Sequence, residues 1–420
     1  GNKKTTFLNA RTSGYIPHLD LIIVRWIQFI SGAIYTGMLF FYLCILPKGS
    51  LQSASIEKKY RKIFQIAYVL LFLSILINLP LQAVIQTNRS WLEVWDLSIF
   101  KDLITSSTFG QVWVFQFILT LLLVRFSFRI FAKKNNRFLW IAFILGNTLL
   151  VLKAMTSHAS TAENKILAIT MDSLHLAASS IWIGSLIAMI AFLPLRKKEE
   201  GKIFFRGIVH LFFPWGVFFV FILAASGVYS SFLYIPTINS IFHTNYGKVL
   251  LGKIILFFIM LLFALVNSIK ARKHKGNGWR FSLWGETLTG LAALVLAVIL
   301  TNLPTAMAAP GPFNETKALD KNTISLRVGP NVSGPNTFDV SVKDQKGKPI
   351  TNIQQVSLTF TSKEIAMGDN TIIVQKIADG HYQTQGMYFN MAGCWNVHVH
   401  VLTKSLEDVD ADFSVLVGSQ

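Results

Sequence analysis

Eight stretches of 20 or more predominantly apolar residues fill the first 304 positions of the chain, at roughly 19–46, 60–84, 109–131, 138–158, 166–194, 203–234, 246–270 and 282–304. Each is long enough to cross the ~30 Å hydrocarbon core of a bilayer as a helix. Inside that core only a helix or a closed barrel satisfies every backbone N–H and C=O, and long runs without period-2 alternation select the helix. Composition agrees, with 52% hydrophobic and only 14% charged residues. The expected fold is therefore an α-helical polytopic membrane protein with eight transmembrane helices. No stretch has the form of a removable signal peptide, and a chain that begins at Gly1 reads as processed, tagged or excised.

A net charge of +18 would suit a nucleic-acid partner, but the distribution of that charge argues against one. Lys48, Lys58, Lys59, Arg61 and Lys62 fill the first loop, and Arg129, Lys133, Lys134 and Arg137 the third. Arg196, Lys197, Lys198, Lys202 and Arg206 fill the fifth, and Arg272, Lys273, Lys275 and Arg280 the seventh. Even-numbered loops carry few bases: Arg89 and Lys101, then Lys165, then Lys248. This is the positive-inside pattern. It predicts odd loops in the cytoplasm and both termini extracytoplasmic. The lipid bilayer is the partner that the basic residues report, and no nucleic acid is expected.

Composition changes after Pro304. Residues 305–320 read as a Pro/Gly/Ala linker. Beyond it lie seven short alternating segments: Ile324–Val328, Thr337–Lys343, Gln355–Ser362, Thr371–Ile377, Tyr382–Phe389, Trp395–Val401 and Asp412–Val417. Seven such strands in about 100 residues predict a small all-β, immunoglobulin-like sandwich. The expected organisation is an extracytoplasmic segment 1–18, a membrane domain 19–304, a linker 305–320 and an extracytoplasmic sandwich 321–420. Trp395, Val397, Val399 and Val401 should point inward, which turns Cys394, His398 and His400 outward. Cys44 belongs to the first span and Cys394 to the sandwich, so they do not pair. Cys44 reads as a small apolar filler.

Chemistry is concentrated in Met155-Thr-Ser-His158 and Met171-Asp172-Ser-Leu-His175. Each places a thioether and an imidazole three or four residues apart, hence on one helix face. A short polar loop joins the two runs, making them antiparallel neighbours. Counted from the far ends, helical rise puts the first pair ~25–30 Å and the second ~28–34 Å up, at one level near the extracytoplasmic surface. Sulfur with imidazole suits a soft ion such as Cu(I), and histidine also accepts Cu(II). A methionine in a span is ordinarily a packing residue, whereas an ionisable residue there marks function. Met155, His158, Met171 and His175 are therefore the candidate copper ligands. Asp172 is expected behind them, fixing the orientation of an imidazole. Lys153 and Lys253 read as snorkelling or pairing with Asp172, and Arg25 as pairing with an acid such as Asp172 or a carbonyl. Met38, Met189, Met260, His210 and Glu286 would offer successive sites inward, or else pack.

The motif Asp172-Ser-Leu-His175-Leu-Ala-Ala-Ser-Ser-Ile-Trp182-Ile-Gly184 resembles the CopD copper-resistance membrane family, as do Tyr246-Gly247-Lys248…Lys253, Asn267, Glu286 and the closing Leu-Pro304. Asp379-Gly-His-Tyr and Met391-Ala-Gly-Cys-Trp395 look like a YtkA-like domain. The combination resembles YcnJ-type copper proteins. The likeness spans about 19–304 for the first family and 322–418 for the second. It implies copper import across the plasma membrane. Such proteins often carry a CopC copper-binding domain ahead of the first span. Only Gly1 to Leu19 precedes it here, so a CopC-like protein is expected as a separate extracytoplasmic partner.

In the sandwich, Met367, Met387 and Met391 are the candidate copper-capture residues, with His381, His398 and His400 as auxiliaries. A solvated strand face is the plainer reading of the histidine pair. Two histidines on adjacent spans would also suit the axial positions of a b-type haem, and a copper chaperone or sensor without transport is a third reading. No nucleotide-binding loop is present, so the chain is read as a transporter rather than an enzyme or ATP-driven pump.

Overall fold

The structure, a computed structural model, describes residues 19–47, 54–87, 90–129, 136–157, 164–235, 238–272, 279–306, 308–319, 322–363 and 368–418. Among these, ten helices precede nine strands: α1 Leu19–Phe40, α2 Ala54–Thr87, α3 Leu97–Ser106, α4 Thr108–Arg129, α5 Asn136–Ala154, α6 Lys165–Phe192, α7 Glu199–Tyr234, α8 Ile238–His243, α9 Asn245–Arg272 and α10 Trp279–Asn302. Eight of them are long and apolar enough to cross a membrane, and they coincide with the eight apolar stretches. The expected helical membrane fold is what the chain adopts. The short α3 in the second loop was not anticipated. It starts where the Asp96 side chain accepts the Ser98 N–H, which satisfies one orphan donor of the first turn.

Contacts divide the chain into a helical unit (17–233 and 249–302) and a second unit (234–248 and 303–420). In the helical unit α1 and α6 are the most buried spans and α9 the least. The reason lies in small residues. A methyl group at Gly184 would stand 2.0 Å from the Ala33 carbonyl oxygen, and one at Gly37 would stand 2.5 Å from the Gly184 Cα. Only glycine lets the two backbones approach so closely, and without a hydrophobic drive between helices that close packing is what joins them in lipid. Large apolar side chains such as Phe221, Phe232, Ile255 and Leu262 are exposed on the outer spans. That arrangement is costly in water and natural in a bilayer.

The second unit contains the sandwich. Its strands are β1 Phe313–Ala318, β2 Asn322–Gly329, β3 Gly334–Asp344, β4 Ile353–Ser362, β5 Asn370–Ile373, β6 Gln375–Ala378, β7 His381–Phe389, β8 Gly393–Thr403 and β9 Asp408–Val417. One sheet has the order β1-β2-β3-β7-β6 and the other β5-β4-β8-β9, with every ladder antiparallel. Ile324, Leu326, Val340 and Phe338 of one sheet meet Leu358, Phe360, Val397, Val399 and Phe413 of the other in one buried core. Each fully buried side chain of this kind contributes roughly 1.5–3 kcal/mol.

Two departures from the sequence reading have clear causes. The strand expected at Thr371–Ile377 is two strands, β5 and β6, which belong to different sheets. Val374 sits between them, 3% exposed, with its N–H on the Val356 carbonyl. Its burial keeps the apolar alternation running through the crossing, so the pattern reads as one strand. The stretch expected to be a linker contains β1, which pairs with β2 from Phe313↔Val328 to Ala318↔Thr323. An edge strand that is only half-buried needs few apolar residues, so Asn-Glu-Thr-Lys carries no hydrophobic signal.

Candidate metal centre

Helix α6 starts where the Asn164 side chain accepts the Leu167 N–H, and its polar face then runs inward. Met171, His175 and Trp182 are spaced four and seven residues apart, which stacks them on one face. Met171, Asp172 and His175 are half-buried. Opposite them, α5 ends at Ala154 and the backbone tightens, with Thr156 N–H on the Lys153 carbonyl and Ser157 N–H on the Ala154 carbonyl. That last turn sets the Ser157 hydroxyl on Asp172, donating to Oδ2 at 2.7 Å. Met155 is 38% exposed at the same helix end. His158 lies outside the described residues.

His175 is held by two residues from other helices. Its Nδ1 is 2.9 Å from the Ser226 hydroxyl on α7, and its Nε2 is 3.3 Å from the Lys253 ammonium on α9. Ser226 has one hydroxyl proton and gives it to the Ile222 carbonyl at 2.6 Å. With that proton assigned to the carbonyl, the Ser226 oxygen accepts from His175, which assigns the ring proton to Nδ1 and the lone pair to Nε2, the nitrogen beside the Lys253 ammonium. A fixed tautomer with an accessible lone pair is what metal ligation requires of a histidine. Asp172 is within electrostatic range of both Lys253 and Lys153.

His175 is oriented by Ser226, and Asp172 accepts a hydrogen bond from Ser157. A serine inside an apolar run bonds its own i−4 carbonyl wherever it points, so nothing in the sequence singled out Ser226. Arg25 donates to the side chains of Asn302 and Gln82, joining α1 to α10 and α2.

A second buried polar cluster lies further along the same face. Glu286 Oε1 accepts the Trp182 indole N–H at 2.9 Å, and Oε2 accepts the Asn267 amide at 2.7 Å. By helical rise, Met260 stands ~10 Å along α9 from both Lys253 and Asn267. Met260, Met38 and Met189 are buried, whereas His210 is exposed.

In the sandwich, Met387 is 72% exposed on β7, and Met391 packs partly buried against the core while its carbonyl accepts the Trp395 indole N–H. Met367 lies outside the described residues. Trp395, Val397, Val399 and Val401 point inward as expected, and His398 and His400 face outward beside carboxylates of β9. Hydrogen bonds from Asn396 and then His398 hold the Asp412 carboxyl below the usual carboxylate range.

Three family models match the chain: Copper resistance protein D-like, N-terminal domain, over residues 17–168; Copper resistance protein D over 206–301; and YtkA-like over 316–400. The motif from Asp172 to Gly184 falls between the first two. The chain is 32% identical over 401 residues to the copper transport protein CutJ of Bacillus subtilis (strain 168), covering 93% of this chain and 73% of that relative. It is 26% identical over 294 residues to the inner membrane protein YebZ of Escherichia coli (strain K12), covering 68% of this chain and 97% of the relative. Copper resistance protein D of Pseudomonas syringae pv. tomato is 24% identical over 299 residues, which is 66% of this chain and 94% of that protein. With eight membrane-length helices followed by an antiparallel sandwich, and with relatives that share this span, the chain belongs to the copper resistance protein D family and carries a YtkA-like domain after its last span.

Proposed function

We propose that this protein imports copper across the bacterial plasma membrane, taking the ion at the extracytoplasmic side between Met155, His158, Met171 and His175. The observation that carries the reading is His175. Its ring is fixed by Ser226, and the lone pair on Nε2 faces the half-buried space occupied by the Lys253 ammonium. A cation already stands where a ligand lone pair points, so a metal ion arriving there displaces a charge of the same sign. The displaced ammonium has Asp172 close by, which offsets the cost of moving it. Met171, one turn away on the same face, supplies the soft donor that favours Cu(I).

From there the ion passes Met260 toward Glu286. The basic odd-numbered loops support a Met/His level on the extracytoplasmic side and Glu286 in the inner half, and the inward direction is what the family resemblance implies. The sandwich then lies extracytoplasmically with both termini, where Met367, Met387 and Met391 gather copper, in exchange with a CopC-like protein. The name of CutJ as a copper transport protein supports this reading.

The test is metal content and copper uptake. Purified wild-type protein should hold copper that His158→Ala and His175→Ala each lose, with the helical circular dichroism unchanged. Cells expressing the wild type should accumulate copper faster than cells expressing either variant. Unchanged stoichiometry in both variants would sink the site, slower accumulation in wild-type cells would reverse the direction, and a Soret band would replace copper by haem.

A further inference from the structure

The outer face of the β8–β9 hairpin carries a cluster that the transport reading does not use. Register pairs His398 with Asp412 and His400 with Asp410, and Leu402 with Asp408. Because the intervening valines point into the core, both imidazoles and the three carboxylates emerge on one side. His398 Nδ1 is 2.9 Å from Asp412 Oδ1, and its Nε2 is 3.2 Å from Asp410 Oδ1. The same Asp410 oxygen is 2.8 Å from His400 Nδ1, and His400 Nε2 is 3.7 Å from Asp408 Oδ1.

A neutral imidazole has one N–H. Each of these rings has a carboxylate oxygen at both of its nitrogens, so each neutral ring must turn one lone pair toward a carboxylate. A cation between ring and carboxylate removes that repulsion, as a second proton on the ring would. Three carboxylates at one face call for positive charge, and the nearby Lys317 ammonium donates to the Asp412 backbone carbonyl. Ligand atoms of His398, His400 and Asp410 lie within 4.8 Å of one another. Donors around a first-row ion at ~2.1 Å stand about 3.0–4.2 Å apart, so small rotamer shifts close the set.

We infer that His398, His400 and Asp410 form a binding site for a divalent transition-metal ion, Cu(II) in first place, on the outer face of the sandwich. Two imidazoles and a carboxylate are borderline-to-hard donors, which select Cu(II) or Zn(II) over Cu(I), and the affinity order puts Cu(II) first. Asp412 stands at the remaining side of His398, where it fixes that ring. Copper as the natural occupant rests on the transport reading, whereas the divalent-cation site rests on the hairpin geometry.

The test uses the full-length protein in detergent carrying Cys394→Ser, so that the exposed thiol does not reduce the added ion, and His175→Ala, which disables the helical unit's candidate ligand. Copper(II) chloride is titrated and the bound ion is read by electron paramagnetic resonance. One Cu(II) with hyperfine structure from two nitrogens is expected. Adding His398→Gln and His400→Gln should weaken binding at least tenfold and abolish that structure, with the melting temperature unchanged. Asp410→Asn, which keeps the size of the side chain, should weaken binding by a smaller factor and serves if the double variant misfolds. A two-nitrogen signal that survives both changes overturns the site. Zinc(II) chloride binding that the same changes abolish, without any Cu(II) binding, upholds the divalent site and overturns copper as its occupant. Full copper uptake by His175→Ala cells would refute the transport reading and leave this site standing.

Discussion

The Lys253 ammonium stands 3.3 Å from Nε2 of His175, although 78 residues separate them in sequence. Two helices are thereby tied through a basic lone pair and a cation, in the place proposed for a metal. If the ammonium competes with the ion, its removal should tighten binding. Lys253→Met is expected to raise Cu(I) affinity about tenfold, since a relieved like-charge interaction of roughly 1.4 kcal/mol corresponds to that factor. Competition against a Cu(I) chelator measures it. Equal or weaker binding in the variant would show that the lysine supports the site instead of occupying it.

Ser226 should matter through the ring it orients. Ser226→Ala removes the acceptor for Nδ1–H and frees the other tautomer, which places the proton on the metal-facing nitrogen. Loss of such an orienting partner typically costs 10–100-fold in metal affinity. Ser226→Thr, which keeps the hydroxyl, should restore most of it. If alanine and threonine behave alike, the hydroxyl does not set the tautomer.

Gly184 belongs to the same motif as His175 but has a separate task. Gly184→Ala drives a methyl group into the Ala33 carbonyl, so α1 and α6 must part. A cost of about 1–3 kcal/mol is expected from overpacking, visible as a lower melting temperature of the detergent-solubilised protein. An unshifted melting curve would mean that the seam yields without loss.

Orientation can be read from the native cysteines. Cys394 is exposed on β8, whereas Cys44 is half-buried near the end of α1. A membrane-impermeant maleimide added to intact cells should label the wild type and fail to label Cys394→Ser. Labelling that appears only after lysis would place the sandwich in the cytoplasm and turn the Met/His level into an exit.

What could be read from the chain alone was whatever local periodicity enforces. A bilayer admits a helix only if some 20 successive residues are apolar, so hydropathy located all eight spans. The 3.6-residue repeat put Met171 and His175 on one face, and the two-residue repeat turned His398 and His400 away from the sandwich core. Polar partnerships were invisible because they join distant segments. Ser226 lies 51 residues from His175, and Glu286 lies 104 from Trp182. Serine, lysine and glutamate carry no periodic signal of where they will be needed. The sandwich repeats the lesson at smaller scale, since Asp410 meets His400 only through the register of β8 on β9. A slip of one residue would send those carboxylates to the opposite face. Which residues face a common space was written in the sequence, and which of them share a proton, a charge or an ion was decided by packing.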